Sequence, residues 1–210
     1  MTELKELTVE KFAEITASDA PAPGGGSVAA LAGGLSAALA EMVANLTVGK
    51  AKYADADEEM RKVAADGAAI RKELIDSIQK DSESFTAYMN ALAMPKSTEE
   101  EKAVRREAMQ KGLKEAAKVP LSVAETAAEI FPLAEAAVMR GNANAVTDGL
   151  VSAMMARTAV LSALLNVKIN LGSIKDEAFV ADMSEKVRTL EEQAMAWEKR
   201  ILERSELSAF

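Results

Sequence analysis

The chain contains no cysteine and no histidine. The first absence removes disulfides, thiol catalysis and thiolate metal sites together. The second removes the commonest general base and the commonest zinc ligand. Any acid–base chemistry must therefore come from Asp, Glu, Lys or Tyr, with pKa values shifted by burial or neighbours. Aromatic residues are scarce at 4%, so the core has to be packed from Ala, Leu, Val and 11 Met. Side chains this small let helices approach closely and leave little room for a strand-rich fold.

Basic residues number 25 against 33 acidic ones, a formal net charge of −8, with no basic run to offset it. That balance argues against nucleic-acid binding as a main function. The N-terminal stretch MTELKELTVEKF is charged throughout and lacks the apolar centre of a signal peptide. Residues 20–40 carry no charge, but Pro21, Pro23, five glycines and many alanines make them a poor membrane span, and Glu41 follows at once. The expectation is a cytoplasmic protein with no membrane contact.

What is present is helical periodicity. At 210 residues, 49% apolar and 28% charged, the chain can bury a sizeable core. LTVEKFAEI (7–15) reads as a short amphipathic helix. A second helix is expected from Ser27, as its cap, to about Val48, stopped by Gly49. A third covers 57–92, with apolar Val63, Ile70, Leu74, Ile78 and Phe85. A fourth runs from Glu99 towards Phe131, where Pro120 should kink or divide it. Pro132 starts a short segment to Met139, RGNAN makes a turn, and a long apolar helix covers 143–170. A charged amphipathic helix closes the chain. No repeat or composition break marks a boundary, so residues 1–210 form one all-α domain, a bundle of long helices with two apolar helices at its centre.

On those two helices the few polar residues are informative, because a buried polar group must be paired. At about 100° per residue, Ser27, Gly34, Glu41, Asn45 and Lys52 fall within roughly 40° of one another. On the later helix Asn144, Asp148, Ser152, Ser162, Asn166 and Asn170 share an arc of about 80°. Either these are helix-to-helix hydrogen bonds in the core or a subunit contact, or they line a polar cleft. The glycine run before Ser27 is likewise either a flexible turn or bare backbone that lets a ligand reach helix amides. No acidic pair on the apolar helices has paired-ligand spacing, so no metal site is expected.

The stretch PAPGGGSVAALAGGLSAALAEMVANLTVGKAKY (21–53) resembles the cyclodeaminase/cyclohydrolase family of folate enzymes. DSESFTAYMNALAMPKSTEEEK (81–102), GNANAVTDGLVSAMMARTA (141–159) and LNVKINLGSIKD (165–176) fit the same family in the same order. Members include the cyclodeaminase half of formiminotransferase-cyclodeaminase and stand-alone methenyltetrahydrofolate cyclohydrolases. The resemblance implies a cytoplasmic helical homodimer, with folate near the subunit contact and no cofactor beyond the tetrahydrofolate substrate. Motif positions carry over to Asp19, Gly24, Gly25, Gly26, Ser27, Asn45, Lys50, Asp81, Asn142, Asn144 and Asp148.

Within that resemblance, the glycines let substrate lie against main-chain amides beside Ser27. Lys50 and Lys52 would meet the glutamyl tail, unless they are merely cations at a solvated helix end. Hydrolysis of a cationic one-carbon bridge needs a negative environment, a base for water and a proton for the departing nitrogen, and carboxylates suit the first two. Asp148 is the first candidate, being the lone acid of the later apolar helix. Asp81 is second, against an exposed acidic helix position, and Asp19 third, against a turn role. Lys50 could also donate a proton. Asn45, Asn142 and Asn144 would position folate, with capping and turn stabilisation as the alternative, strongest for Asn142. Cyclodeamination passes through a related tetrahedral carbon, so a formiminotetrahydrofolate cyclodeaminase is the alternative activity. A chain without a transferase domain favours the cyclohydrolase. The alternative of another class is a non-catalytic helical interaction module, which would be expected to have lost the glycine loop or the polar stripe.

Overall fold

A computed structural model describes residues 3–205. Those residues form seven α-helices: α1 (Val9–Thr16), α2 (Gly25–Asn45), α3 (Asp57–Leu92), α4 (Glu99–Ala128), α5 (Ile130–Arg140), α6 (Val146–Leu171) and α7 (Glu177–Arg204). Short 3-10 turns lie at Leu4–Glu6, Ala51–Ala56 and Ala143–Ala145, and no strand occurs among the described residues. The starts follow side-chain chemistry. The Thr8 hydroxyl accepts from the Lys11 N–H at α1, and Asp176 accepts from the Phe179 N–H at α7. Thr98 and Glu101 form a reciprocal capping box at α4, whose acidic first turn also suits the helix dipole.

Both boundaries of α2 differ from the sequence reading. Gly24, not Ser27, is the N-cap of α2. At the other end the helix closes at Asn45, and Gly49 follows in the left-handed region at φ 78°. Pro120 does not divide α4; the break falls at Glu129. Proline has no N–H to offer the carbonyl one turn back, which is that of Ala116. The side chain of Asn170 supplies the missing donor, with Nδ2 placed 2.9 Å from the Ala116 oxygen. An amide from α6 thus repairs the helix that proline would have interrupted.

Helices α2, α3, α4 and α6 form a ring in which each packs against two neighbours, while α5 and α7 cover α6 from outside. The register is antiparallel throughout: Gly26 faces Asp81 and Gly33 faces Leu74 across α2 and α3, while Ser36 meets Ser152 across α2 and α6. The largest fully buried side chains include Phe131, Met60, Leu74, Ile78, Ile130 and Leu164. Phe131 stacks on Trp197 with ring centroids 6.1 Å apart, tying α7 to α5. Phe85, grouped by its spacing with the apolar positions of α3, is instead exposed.

The two apolar helices make the most central pair, joined by small residues. Ala29, Ala30, Ala37 and Ala40 on α2 and Ala153, Ala156, Ala159 and Ala163 on α6 are all buried. Neither helix is covered all round. Leu35 and Met42 on α2, Leu46 just past its end, and Leu165 and Ile169 on α6 remain exposed, Ile169 by 75%. By length and composition alone, Gly25–Asn45 and Ala143–Leu171 are apolar enough to cross a membrane, and 56% and 44% of their apolar stretches are buried within this fold.

Candidate active site

The glycine mouth of α2 is built against α3. Ser27 is fully buried in the first helical turn, and its hydroxyl lies 2.9 Å from Asp81 Oδ2 and 3.1 Å from the Ile78 carbonyl oxygen. The Ser27 main-chain N–H also bonds the Asp81 carboxylate. Burial pushes the Asp81 pKa above the ordinary carboxylate value, against the pull of these donors. A carboxylic acid poised in this way is suited to proton transfer.

Two of the three glycines are used by the protein itself. A Cβ on Gly26 would lie 2.1 Å from Asp81 Oδ1, and one on Gly25 would lie 3.1 Å from Asn166 Nδ2. Gly26 therefore makes room for the carboxylate at the helix N-terminus. Only Gly24 faces open space, with nothing within 4 Å of its missing side chain. The loop reaches it through a cis Ala22–Pro23 peptide, and Asp19, upstream in that loop, is exposed.

A second group collects at the opposite end of α2. The Asn142 N–H donates to Thr47 Oγ1 at 2.8 Å, its Nδ2 donates to the Leu46 carbonyl, and its Oδ1 accepts from the Tyr53 hydroxyl at 3.3 Å. Oδ1 also accepts from the Asn144 N–H, which caps the turn at Ala143–Ala145. The buried amide of Asn142 is thus committed to the chain, as in the capping alternative. Asn45, Lys50, Lys52 and Asn144 are exposed and Asp148 is half-buried in the first turn of α6. Lys52 lies over the Tyr53 ring, 5.1 Å from its centroid. Beside Tyr53 opens a cavity of about 660 Å³, walled also by Lys52, Arg140, Ala143 and Arg204.

The polar stripes resolve into two kinds of residue. Ser152 and Ser36 are fully buried and exchange hydroxyl-to-carbonyl hydrogen bonds of 2.7 and 2.8 Å, a core contact between α2 and α6. Asn166 bonds the Ser162 carbonyl, Asn170 repairs α4, and Glu41 pairs with Arg71 of α3 at 2.7 Å. The Ser36–Ser152, Asn170 and Glu41 contacts answer to the helix-to-helix reading, while the Asn166 bond stays within α6. The side chains of Asn45, Asn144 and Asp148, in contrast, make no hydrogen bond among the described residues.

Sequence reasoning missed Thr47 and Tyr53. Thr47 and Tyr53 stand inside the quoted 21–53 motif, so their proximity to Asn45 and Lys50 was the available signal. The two site groups do not meet within one chain: Gly26 and Asn45 are separated by 19 residues of helix, about 28 Å at 1.5 Å per residue.

The chain belongs to the formiminotransferase-cyclodeaminase family, whose sequence pattern matches residues 8–189. It is 39% identical to the methenyltetrahydrofolate cyclohydrolase of Methylorubrum extorquens, over 93% of this chain and 94% of that protein. It is 35% identical to the formimidoyltransferase-cyclodeaminase of Sus scrofa, over 93% of this chain but 36% of that longer protein. The crystal structure of formiminotetrahydrofolate cyclodeaminase from Thermotoga maritima superposes with a TM-score of 0.87 at 33% identity, covering 99% of this chain and 100% of that one.

Proposed function

We propose that this protein is a folate one-carbon enzyme that hydrolyses 5,10-methenyltetrahydrofolate to 10-formyltetrahydrofolate. The observation carrying the assignment is its end-to-end likeness to a protein of that name, at 39% identity. The site chemistry agrees. With no histidine or cysteine in the chain, a cationic one-carbon bridge needs carboxylates to stabilise it and to accept a proton from water. Asp148, half-buried and without a hydrogen-bonding partner among the described residues, takes that proton as water adds to the bridging carbon. Asp81, raised in pKa by burial, holds its proton more readily than an exposed acid and bonds a ring nitrogen or oxygen beside Gly24. Lys50 meets the glutamyl carboxylates.

The reaction is proposed to occur in a cytoplasmic homodimer, without cofactor beyond the folate and without nucleic-acid or membrane partners. Two observations support the dimer. Each end of α2 carries half of the motif residues, too far apart for one bridging carbon to touch both. The exposed apolar stripes of α2 and α6 offer a self-complementary face. An antiparallel pairing on that face would bring the Asp81 end of one copy to the Asp148 end of the other.

Cyclodeamination of formiminotetrahydrofolate is the second reading, favoured by the 0.87 TM-score to a cyclodeaminase. Loss of methenyl absorbance measured beside ammonia release from formiminotetrahydrofolate separates the two. Enzyme-dependent hydrolysis is expected. Ammonia release without hydrolysis would replace the first reading by the second, and absence of both with no saturable folate binding would leave a non-catalytic helical module.

A further inference from the structure

Tyr53 is the one phenol near the second group of site residues, and its surroundings go beyond what a turn requires. Its oxygen accepts from the Ala143 N–H at 3.1 Å and faces Asn142 Oδ1 at 3.3 Å. The Lys52 ammonium lies over its ring. The side chain is half-buried and forms part of the wall of the 660 Å³ cavity. Lys50, Lys52 and Asp55 surround it from its own segment, Arg140 from α5 and Arg204 from α7 across the cavity. Arg140 is paired with Asp55 and Glu59, and Arg204 with Glu135, which leaves Lys52 as the cation closest to the ring.

We infer that Tyr53, assisted by Lys52, is the proton donor to the departing nitrogen in the folate reaction. This rests on the folate assignment made above. After water has added to the bridging carbon, the bond from that carbon to the 5-nitrogen breaks and its electron pair goes to nitrogen. The Tyr53 hydroxyl delivers its proton there. The phenolate is held by the Ala143 N–H and the Lys52 ammonium, and it takes the proton from the carbon-bound hydroxyl as the formyl C=O forms. Tyrosine is regenerated and the charges balance. In a chain without histidine a phenol is one of the few groups that can supply this proton.

The physical setting supports that role. The Ala143 N–H, followed by Lys52 and Lys50, draws the Tyr53 pKa below the ordinary phenol value. A lowered pKa brings the phenol closer to the operating pH, where a proton can both leave and return. The purely structural alternative is that Tyr53 only fastens the Asn142–Ala143 turn. The two roles are separable, because fastening the turn requires no ionisation.

The experiment has a readout independent of turnover. In a Tyr88→Phe background Tyr53 is the remaining tyrosine, so ultraviolet difference titration follows its ionisation directly. The midpoint is expected below about 10, the free phenol value, and Lys52→Met is expected to raise it. A midpoint at or above the free value, or one insensitive to Lys52→Met, overturns the proposal. In turnover, Tyr53→Phe is expected to lower kcat by about 100-fold or more while KM changes little, and Lys52→Met to move the alkaline limb of the pH profile upward. A Tyr53→Phe enzyme that keeps kcat within about fivefold, or keeps the wild-type alkaline limb, also overturns it. Inactivity of the wild-type protein on both folates would overturn the folate assignment instead, and the titration distinguishes that failure from this one.

Discussion

The carboxylate of Asp81 occupies the space that a side chain at residue 26 would fill: a Cβ on Gly26 would lie 2.1 Å from Oδ1. This contact gives the glycine a purpose distinct from loop flexibility, since the conformation there is helical. Gly26→Ala should displace Asp81 at little cost in stability, because the carboxylate is the end of a side chain and alanine favours helix by about 1 kcal/mol. Turnover should fall by about tenfold or more, equivalent to about 1.4 kcal/mol in the barrier. Gly24→Ala meets no protein atom, so a loss of folate affinity there without loss of stability would report ligand against the helix mouth. Thermal unfolding and initial-rate kinetics on both variants check the contrast.

Asp81 also links activity to pH-dependent stability. Burial raises its folded pKa above the unfolded value, so the native state binds this proton more tightly than the unfolded chain does. That contribution to stability is fully present below the unfolded pKa, near 3.9, and is lost as pH rises through the folded value. Above the folded value the buried, ionised carboxylate is a cost. Asp81→Asn is expected to be at least as stable as the wild type at pH 7, with the difference narrowing towards pH 4, while turnover falls. Unfolding midpoints at the two pH values test this.

Ser36 and Ser152 separate packing from chemistry. Their reciprocal hydrogen bonds lie in a fully buried contact between α2 and α6. Either serine changed to alanine should cost about 1 kcal/mol. The double variant should cost less than the sum, since the two share a contact. Turnover should be unchanged, and denaturant unfolding with parallel kinetics measures both quantities.

The exposed stripe on α6 tests the assembly. Ile169, with 75% of its surface open, costs nothing within one chain when replaced by a charged residue. Ile169→Glu is expected to leave helicity intact while shifting the protein to monomer and abolishing turnover. Sedimentation and circular dichroism decide this, and an active monomer would contradict the shared site.

Much of the architecture was legible because the apolar spacing of each helix has one dominant period. The end of α3 at Leu92 and the start of α4 at Glu99 follow from the residues themselves. Pro120 was misleading because its repair comes from Asn170, which lies 50 residues away on another helix. Ser27 was misleading for the opposite reason. A serine after glycines is a good local cap, but Asp81 of α3 recruits its hydroxyl. The stripe on α6 mixed residues bonded inside the chain with residues left open, and helical angle alone cannot divide Ser152 from Asp148. Tyr53 went unnoticed because its partners, Asn142 and Ala143, are distant in sequence and its own segment is a short turn.

Mixing two inactive variants, Asp81→Asn and Asp148→Asn, addresses the shared folate site most directly. In a heterodimer whose sites each draw Asp81 from one copy and Asp148 from the other, one site is intact and the other carries both changes. Random exchange of subunits should then restore about a quarter of wild-type methenyltetrahydrofolate hydrolysis. A mixture that exchanges subunits yet stays as inactive as its two components would contradict the account, placing both carboxylates of each site within a single chain.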